Sequence, residues 1–325
     1  MGKALTVIIP AYNVSQYIEQ GMNSLLEDKS IIQALDIILV NDGSEDDTLE
    51  KVQKYCDLYS GIVRVIDKEN GGHGSGINEG IKAAKGKYLK VIDGDDWVNT
   101  DGLRELVDYI RNSSVSPEVI INPFEKVWED GRKEIVSFDN IVPREIVTFK
   151  EVHSNGYTLP LHTLTIKSDI YKKNSIPDID ERISYDDMEY ILYPVPYINS
   201  IVFLNTVIYE YRLGLSGQSM NPKQMIRKLP MHIKVIESLA KYYRENTAIF
   251  NSDQRIYYNQ EFVDTMSTNC EIRIRAKQKF KIINRFIRRY SDFEISVTRK
   301  KTLFIINKFG YVGYVLAKVH NIIRR

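Results

Sequence analysis

The densest group of potential catalytic side chains is the acidic segment Asp93-Gly94-Asp95-Asp96. Three carboxylates within four residues repel one another unless a cation or protons relieve the charge. Carboxylate oxygens suit Mn²⁺ and Mg²⁺, and Mg²⁺ commonly joins one or two carboxylates to substrate phosphates. The alternative is an Asp-rich turn that only caps the next helix. Taken alone, this segment leaves a metal site and a helix cap open.

Three other polar or glycine-rich segments, like the acidic segment, follow short apolar runs. The runs predict strands, and helical patterns lie between them. Repeated strand–helix units predict an α/β fold with a mostly parallel sheet and helices on both faces, where ligands bind at the carboxyl ends of strands. The predicted strands are Leu5–Ile9, Leu35–Val40, Ile62–Ile66, Tyr88–Ile92 and Val119–Ile121, and the segments are Pro10–Asn13, Asn41–Ser44 and Asn70–Gly76.

The pattern changes along the rest of the chain. Ser15 is a candidate cap for the first helix, and Glu129-Asp130-Gly131 indicates a hairpin among short strands in residues 123–220. From about residue 221 onward the pattern is helical and basic. We therefore predict a catalytic domain over residues 1–220 and a basic helical domain over residues 221–325.

Composition narrows the class of protein. The chain has 325 residues, 43% of them hydrophobic, which is enough for a sizeable core. Cys56 and Cys270 form no metal-spaced pair and fit a reducing compartment better than a disulfide scaffold. We see no targeting segment and no apolar stretch long enough to span a membrane. The expected location is cytoplasmic, with peripheral attachment to the inner face of the cell membrane as an option.

The two predicted domains carry opposite charge. Residues 221–325 hold 22 Lys and Arg against 8 Asp and Glu, whereas residues 1–220 hold 22 against 35. The excess is strongest in residues 270–325, where apolar residues interleave with 15 basic ones. Three uses fit this segment: a helical bundle with a solvated basic face, a surface for anionic lipid, or a homo-oligomer interface. No nucleic-acid-binding module accompanies the charge, so we expect no nucleic-acid partner.

The four segments in series resemble family 2 glycosyltransferases of the GT-A fold over roughly the first 100 residues. The resemblance implies that Tyr12 and Asp42, beside Pro10, hold the nucleobase, usually uracil. It places Asp93 and Asp95 near the ribose and diphosphate, and Mn²⁺ or Mg²⁺ on Asp95 or Asp96. Tyr12 as packing and Asp42 as a turn residue remain alternatives. The matching residues are Pro10-Ala11-Tyr12-Asn13, Asn41-Asp42-Gly43-Ser44 with Asp46-Asp47-Thr48, Asn70-Gly71-Gly72, and Asp93-Gly94-Asp95-Asp96.

The chain departs from that family at Gly76-Ile77-Asn78, where most members have Ala-Arg-Asn. Ile77 therefore stands where an arginine would face the diphosphate. His73, Lys68 or backbone N–H groups after Asn70, Gly71 and Gly72 are candidate replacements, although His73 also suits a local hydrogen bond. A dinucleotide-binding fingerprint is disfavoured because these glycines do not follow the first strand.

The acceptor side is expected further along the chain. Tyr185-Asp186-Asp187 resembles the family's second acidic motif, which implies Asp187 as general base and Asp186 in the usual Glu position; helix capping is the alternative. By resemblance, Arg212 and the segment Gly217-Gln218-Ser219 close over the donor phosphates, and His162 and Trp97 line the acceptor pocket. A processive polysaccharide synthase is disfavoured because Gln224–Lys228 lacks the signature tryptophan.

These resemblances imply a metal-dependent, inverting transfer of a hexose or N-acetylhexosamine from a UDP-sugar to a bacterial surface glycan, lipid-linked or protein-linked. Two other classes stay open. A nucleotidyltransferase would share the layout, but its glycine-rich, lysine-containing first loop is missing. A non-catalytic scaffold would tolerate the lost arginine at Ile77, but it would not need Asp95, Asp96 and Asp187.

Overall fold

The computed structural model describes residues 2–215 and 222–323, with side chains described up to residue 320. The chain divides into two compact units, Met1–Glu151 with Leu159–Leu215, and Val152–Thr158 with Ser216–Arg325. The predicted domain boundary after residue 220 lies outside the described residues, as does the segment Gly217-Gln218-Ser219. That boundary stays a prediction.

The first unit alternates strands and helices over its first 121 residues, and every strand predicted there forms. The short apolar runs are strands because nearly all their side chains can be buried together; β1 and β2 are buried along their whole lengths. The elements up to that point are β1 (Leu5–Ala11), α1 (Ile18–Leu26), β2 (Leu35–Asp42), α2 (Thr48–Leu58), β3 (Val63–Lys68), α3 (His73–Ala83), β4 (Tyr88–Val91), β5 (Trp97–Val98), α4 (Thr100–Asn112) and β6 (Val119–Ile121).

Later elements are shorter and their existence was harder to predict. They are β7 (Phe124–Trp128), β8 (Lys133–Val136), β9 (Ile146–Val147), α5 (Phe149–Ser154), β10 (Leu164–Lys167), α6 (Ser168–Lys173), α7 (Asp187–Leu192), β11 (Ile201–Phe203) and β12 (Tyr209–Leu213).

The larger sheet has the strand order β3-β2-β1-β4-β10-β6-β11-β9. β3, β2, β1 and β4 are parallel neighbours, and β6 pairs in parallel with β11. β10 is antiparallel to β4 and to β6, between which it lies. Because β1, β2, β3 and β4 run in the same direction, the segments that follow them meet at one edge of the sheet.

A second sheet, β5-β12-β7-β8, was not predicted as a separate unit. Its β7–β8 hairpin is antiparallel and turns at Gly131, where φ is +84°, so the hairpin prediction is confirmed. β12 pairs in parallel with β7 and antiparallel with β5, and β5 starts at Trp97, directly after the acidic segment. β12 is therefore placed to contact that segment.

Helix α3 packs tightly on β1. A Cβ atom on Gly80 would lie 2.2 Å from Cγ2 of Ile8, and one on Gly76 would lie 3.0 Å from Cβ of Pro10. Ile77, between these glycines, is completely buried. An arginine at this position would have to enter the core, so position 77 of this chain cannot present a cation to a ligand without local refolding.

The predicted cap of the first helix is wrong. α1 begins at Ile18 after Tyr17, which makes no capping side-chain bond. The backbone N–H of Ser15 instead donates to Oδ2 of Asp46 at 3.0 Å. Ser15 therefore lies in the loop after β1, which is hydrogen-bonded to the loop after β2.

The second unit is helical where it is described. Its main elements are α8 (Pro222–Arg227), α9 (Leu229–Asn246), α10 (Ser252–Arg275), α11 (Phe280–Arg288) and α12 (Lys301–Ile323). α12 bends at Gly310, whose φ of +55° and ψ of −127° lie outside the helical range. Among the helices described, we find none long and apolar enough to span a membrane.

Candidate active site at the strand ends

The loops after β1 and β2 are tied together. The backbone N–H of Asn13 donates to Oγ of Ser44 at 3.0 Å, and Oδ1 of Asn13 accepts from the backbone N–H of Glu45 at 2.8 Å. Asn13 adopts a positive φ of +53°, which Asn tolerates better than most residues. Pro10 ends up in β1 opposite Val40 of β2, and the next-but-one side chain, Tyr12, is left 49% exposed.

Asp42, at the end of β2, organises the glycine-rich loop. Its carboxylate accepts hydrogen bonds from the backbone N–H groups of Gly71 (2.8 Å) and Gly72 (2.7 Å), and from Nζ of Lys68 (2.9 Å). The carboxylate is almost completely buried. Asn70 is held close as well, because a Cβ on Gly43 would lie 2.9 Å from its backbone nitrogen. The predicted contact of Asp42 with a nucleobase stays a prediction, and three of its acceptor positions serve this loop.

His73, the first residue of α3, joins the two acidic motifs. Its Nε2 lies 3.0 Å from Oδ1 of Asp93, and its Nδ1 lies 3.0 Å from Oδ2 of Asp186. Burial alone would lower the pKa of His73, but the two carboxylates outweigh burial and raise that pKa well above its ordinary value. The imidazole is therefore a cation that donates from both nitrogens. Its charge in turn overcomes burial to lower the pKa of Asp93.

Two neighbouring carboxylates of the acidic segment differ in their contacts: that of Asp96 is anchored by hydrogen bonds, and that of Asp95 is free of such anchors among the described residues. Asp96 is buried and accepts from Oη of Tyr209 (2.6 Å) and from the backbone N–H of Arg212 (2.7 Å). Burial, with the nearby charges of Asp95 and Asp93, raises the pKa of Asp96 well above its usual range. Burial and the charge of Asp93 raise the pKa of Asp95 to about 6. Within the described residues, the carboxylate of Asp95 receives no hydrogen bond from a side chain.

The helix-cap alternative for this segment is not supported. Helix α4 is capped by Asn99, whose Oδ1 accepts from the backbone N–H of Gly102 at 3.0 Å. None of the three aspartates is therefore needed to start α4, and their carboxylates are available for other chemistry.

Arg212 of β12 lies across the acidic segment and is held there by hydrogen bonds. Its Nε donates to the backbone oxygen of Asp95 at 2.8 Å, and its Nη2 donates to Oε1 of Gln20 at 2.7 Å. Its guanidinium lies 4.6 Å from the ring centre of Trp97 and 4.8 Å from that of Tyr17. Trp97 and Arg212, predicted separately, are therefore in contact. The predicted roles of Trp97 in the acceptor pocket and of Arg212 at the phosphates stay predictions.

His162 also lies at the acidic segment. Its ring packs against Phe124, Tyr209 and Tyr211, at centroid distances of 5.0, 4.7 and 4.4 Å. Burial lowers the pKa of His162 to about 4, so the imidazole is neutral and able to accept. Its Nδ1 is buried without a hydrogen-bond partner among the described residues.

Together with Asp93 and Asp96, His162 offers three possible ligand atoms within 4.8 Å of one another. The two carboxylates suit Mn²⁺ or Mg²⁺, whereas a neutral imidazole is a ligand more typical of Zn²⁺ and Fe²⁺. Of the two predicted metal ligands, Asp96 belongs to this group and Asp95 does not, and the sequence did not assign Asp93 or His162 to a metal.

The second acidic motif repeats the division seen in the first. Asp186 is buried and bound to His73, and it makes no side-chain bond to the start of α7, so it does not cap that helix. Asp187 begins α7 and receives no side-chain hydrogen bond within the described residues. Burial and the neighbouring charge of Asp186 raise the pKa of Asp187 to about 6.

Three further residues support the site and were missed from the sequence. Tyr209 bridges the acidic segment by accepting from the backbone N–H of Asp93 at 3.1 Å while donating to Asp96. Lys90 is fully buried in β4, where its Nζ donates to the backbone oxygen of His162 at 3.0 Å and burial lowers its pKa to about 7. Arg182, exposed and with φ of +57°, donates its backbone N–H to the oxygen of Gly71 at 2.6 Å.

Of these three residues, Lys90 could have been recognised from the sequence. A lysine inside the apolar run of β4 is unusual enough to mark a buried polar contact. Tyr209 and Arg182 look like ordinary residues of short, irregular segments.

The fold is shared with a solved structure. Residues 1–349 of TarS from S. aureus superpose with a TM-score of 0.69 over 99% of this chain and 92% of that one, at 19% identity. Together with the acidic turn at the end of a parallel strand, this places the first unit in the GT-A class of folds.

Sequence comparison then identifies the family. Residues 6–162 match the profile described as Glycosyl transferase family 2. Uncharacterized glycosyltransferase EpsJ of Bacillus subtilis is 27% identical over 76% of this chain and 70% of its own length. Glycosyltransferase GlyG of Streptococcus pneumoniae is 29% identical over 65% and 71%, respectively. Residues 6–162 therefore carry a glycosyltransferase family 2 domain, and the chain is a glycosyltransferase, so the nucleotidyltransferase and scaffold alternatives fall away.

Proposed function

We propose that the chain transfers a hexose or N-acetylhexosamine from a UDP-sugar to a hydroxyl group of a bacterial surface glycan, lipid-linked or protein-linked, with inversion of the anomeric centre. The observation that carries this proposal is the double hydrogen bond of His73 to Asp93 and Asp186. The imidazole of His73 links the acidic segment, which we expect at the donor, to the second acidic motif, which we expect at the acceptor. A donor of the UDP type is supported by the related fold of TarS, which has been solved with UDP-GlcNAc and with UDP.

We assign the nucleoside to the edge formed by the loops after β1, β2 and β3. Tyr12 supplies an exposed aromatic ring next to Pro10, and Asp42 retains one acceptor position beyond its three loop contacts. Asn70, Gly71 and Gly72 present backbone groups beside it. We assign the charge that faces the diphosphate to His73 at the start of α3, because Ile77 is in the core. Since both ring N–H groups of His73 are bonded to Asp93 and Asp186, His73 would act through its charge and not through a hydrogen bond to the donor.

The residues of the acidic segment fit a divalent cation, Mn²⁺ or Mg²⁺. Asp95 and Asp96 are crowded carboxyl groups: burial and the charge of Asp93 raise the pKa of Asp95, and burial with the charges of Asp95 and Asp93 raises the pKa of Asp96. A cation would relieve that repulsion. We propose Asp95 and Asp96 as its ligands, with Asp93 and His162 in reach. When bound, the cation would offset the charge that develops on the departing nucleoside diphosphate.

Asp187 is proposed as the general base that takes the proton of the acceptor hydroxyl. A base works best when its pKa lies near the working pH, and the pKa of Asp187 is raised to about 6. It is then largely ionised at neutral pH and still a better proton acceptor than an ordinary aspartate. Asp186, held by His73, keeps the motif in place and prevents Asp187 from sharing that hydrogen bond.

The test is release of nucleoside diphosphate from a panel of UDP-, GDP- and TDP-sugars with Mn²⁺, with Mg²⁺ and with EDTA. We expect release from at least one UDP-sugar, dependent on the cation. Asp139→Asn, an exposed carboxylate outside the site, is the matched control for Asp95→Asn and Asp187→Asn. Full release in EDTA would overturn the metal assignment. Absence of release from every UDP-sugar, with release from another class, would overturn the donor assignment.

A further inference from the structure

The last part of α12 exposes a row of large apolar side chains. After the bend at Gly310, Val312, Leu316 and Val319 follow one another at helical spacing and are 63%, 53% and 50% exposed. Tyr314 and Ala317, on the other side of the same helix, are buried. α12 therefore packs one side into its own unit and presents a second apolar side outward, which a helix of a soluble bundle does not need.

Basic side chains flank this row. Lys308 and Lys318 are exposed on α12, and the sequence contains no Asp or Glu from residue 295 to residue 325. α11 lies alongside, since the ring of Phe280 is 5.6 Å from that of Tyr311. It adds the exposed Lys281 and Arg285 and the half-exposed Ile282. We call α11 and the α12 segment after residue 307 the basic apolar face.

We infer that the basic apolar face binds the surface of a membrane that contains anionic lipid. An interfacial helix needs apolar side chains that enter the acyl boundary and Lys or Arg that meet the headgroups, and this face has both. The long stems of Lys308 and Lys318 let their charges reach the headgroups while their methylenes stay with the apolar row.

Two other occupants fit less well. A symmetric dimer would bring the same basic residues of both copies together without an acidic residue to offset them. A nucleic acid would neutralise the lysines but would leave Val312, Leu316 and Val319 in water. Only a surface with both anionic and apolar layers covers every exposed group of the face.

The test is co-sedimentation of the full chain with vesicles of phosphatidylcholine alone or with a quarter phosphatidylglycerol, at low and high salt. We expect binding to the anionic vesicles that weakens with salt. Lys308→Gln/Lys318→Gln should lower the partition coefficient about 25-fold, since each basic residue near an anionic surface contributes about a factor of five. The matched control, Lys150→Gln/Lys241→Gln, removes the same charge from exposed positions on other helices.

A second pair of variants separates lipid from self-association. Val312→Ser/Leu316→Ser should lose vesicle binding, whereas Leu58→Ser/Ile256→Ser, with exposed apolar residues elsewhere, should keep it. Sedimentation velocity without lipid should show the same species for all variants. A dimer that only Val312→Ser/Leu316→Ser dissociates, or equal vesicle binding by the test and control pairs, would overturn the inference. Thermal unfolding of each variant identifies any that fail to fold, and single substitutions then replace the pair.

Discussion

The two acidic motifs of the first unit, Asp95-Asp96 and Asp186-Asp187, are built alike although they lie about ninety residues apart in the sequence. In each, one buried carboxylate is anchored by protein donors: Asp96 by Tyr209 and Arg212, Asp186 by His73. In each, the other carboxylate has no side-chain donor within the described residues, and its pKa is raised to about 6.

This division gives the two adjacent carboxylates of each motif different roles, one structural and one chemical. An anchored carboxylate fixes the backbone, since loss of its hydrogen bonds leaves buried donors unsatisfied. A free carboxylate keeps its lone pairs for a cation or a proton. Substitutions at the anchored and free positions should therefore differ in kind, with free positions affecting function alone and anchored positions affecting stability as well.

The largest expected effect is at the free carboxylate of the acceptor side. Asp187→Asn should lower kcat by about 10²- to 10⁴-fold, because a general base contributes about that much. Donor binding should stay as in the wild type, and the unfolding temperature should stay the same or rise, because a raised pKa means that ionised Asp187 does not stabilise the fold. Isothermal titration and calorimetry would check this. If Asp187→Asn kept a tenth or more of the wild-type kcat, the base would have to be another group.

The next effect is at the free carboxylate of the donor side. Asp95→Ala should remove the enhancement of donor binding by Mn²⁺, about ten- to hundredfold, without lowering the free energy of unfolding, because a raised pKa means that ionised Asp95 does not stabilise the fold. Donor titrations with Mn²⁺ and with EDTA measure this. If the wild type bound the donor equally well with Mn²⁺ and with EDTA, the free carboxylate of the donor side would not act through a metal.

The anchored partner should behave differently. Asp96→Ala leaves Oη of Tyr209 and the backbone N–H of Arg212 without an acceptor, so we expect a loss of about 1–3 kcal/mol in the free energy of unfolding. Urea unfolding of Asp96→Ala and Asp95→Ala side by side gives the contrast. Equal stability of the two variants would break the distinction between anchored and free positions.

The smallest effect concerns pH. Asp187 acts as base only when ionised, so kcat/KM should fall about tenfold per pH unit below about pH 6 and level off above it. The charge of His73 lowers the pKa of Asp187 against the larger effect of burial. His73→Gln, which removes that charge, should therefore move the acid limb to higher pH. An acid limb that stays in place would show that His73 does not act on Asp187 through its charge.

Sequence reasoning succeeded where the signal was local. Apolar runs that end in turn residues predicted the first five strands of the larger sheet and the segments that follow them, because parallel strands must place those segments on one edge. The first acidic motif was also found from local spacing, whereas the second was assigned from its resemblance to the family's second acidic motif. A family 2 glycosyltransferase domain and the GT-A fold were predicted by the four segments in series, and the comparisons confirm both.

It failed where a contact joins distant residues. Tyr209 and Arg212 reach Asp96 across 113 and 116 residues, and His73 reaches Asp186 across 113. Which carboxylate of each pair is anchored depends on those contacts, so the distinction between Asp95 and Asp96 is invisible in the turn itself. The second sheet, which carries Tyr209 and Arg212, consists of strands of two to five residues with little periodicity to detect.

The glycines of α3 have a mechanical consequence. Because a methyl group does not fit at Gly80, helix α3 packs against β1 without room to shift. His73, at the start of that helix, is therefore held in a fixed position. The segment that carries Asp186 is a strand-free loop, with Arg182 and Tyr185 at positive φ. We therefore expect amide hydrogen exchange to be faster over residues 180–186, which lie in this loop, than over residues 76–83, which lie in α3.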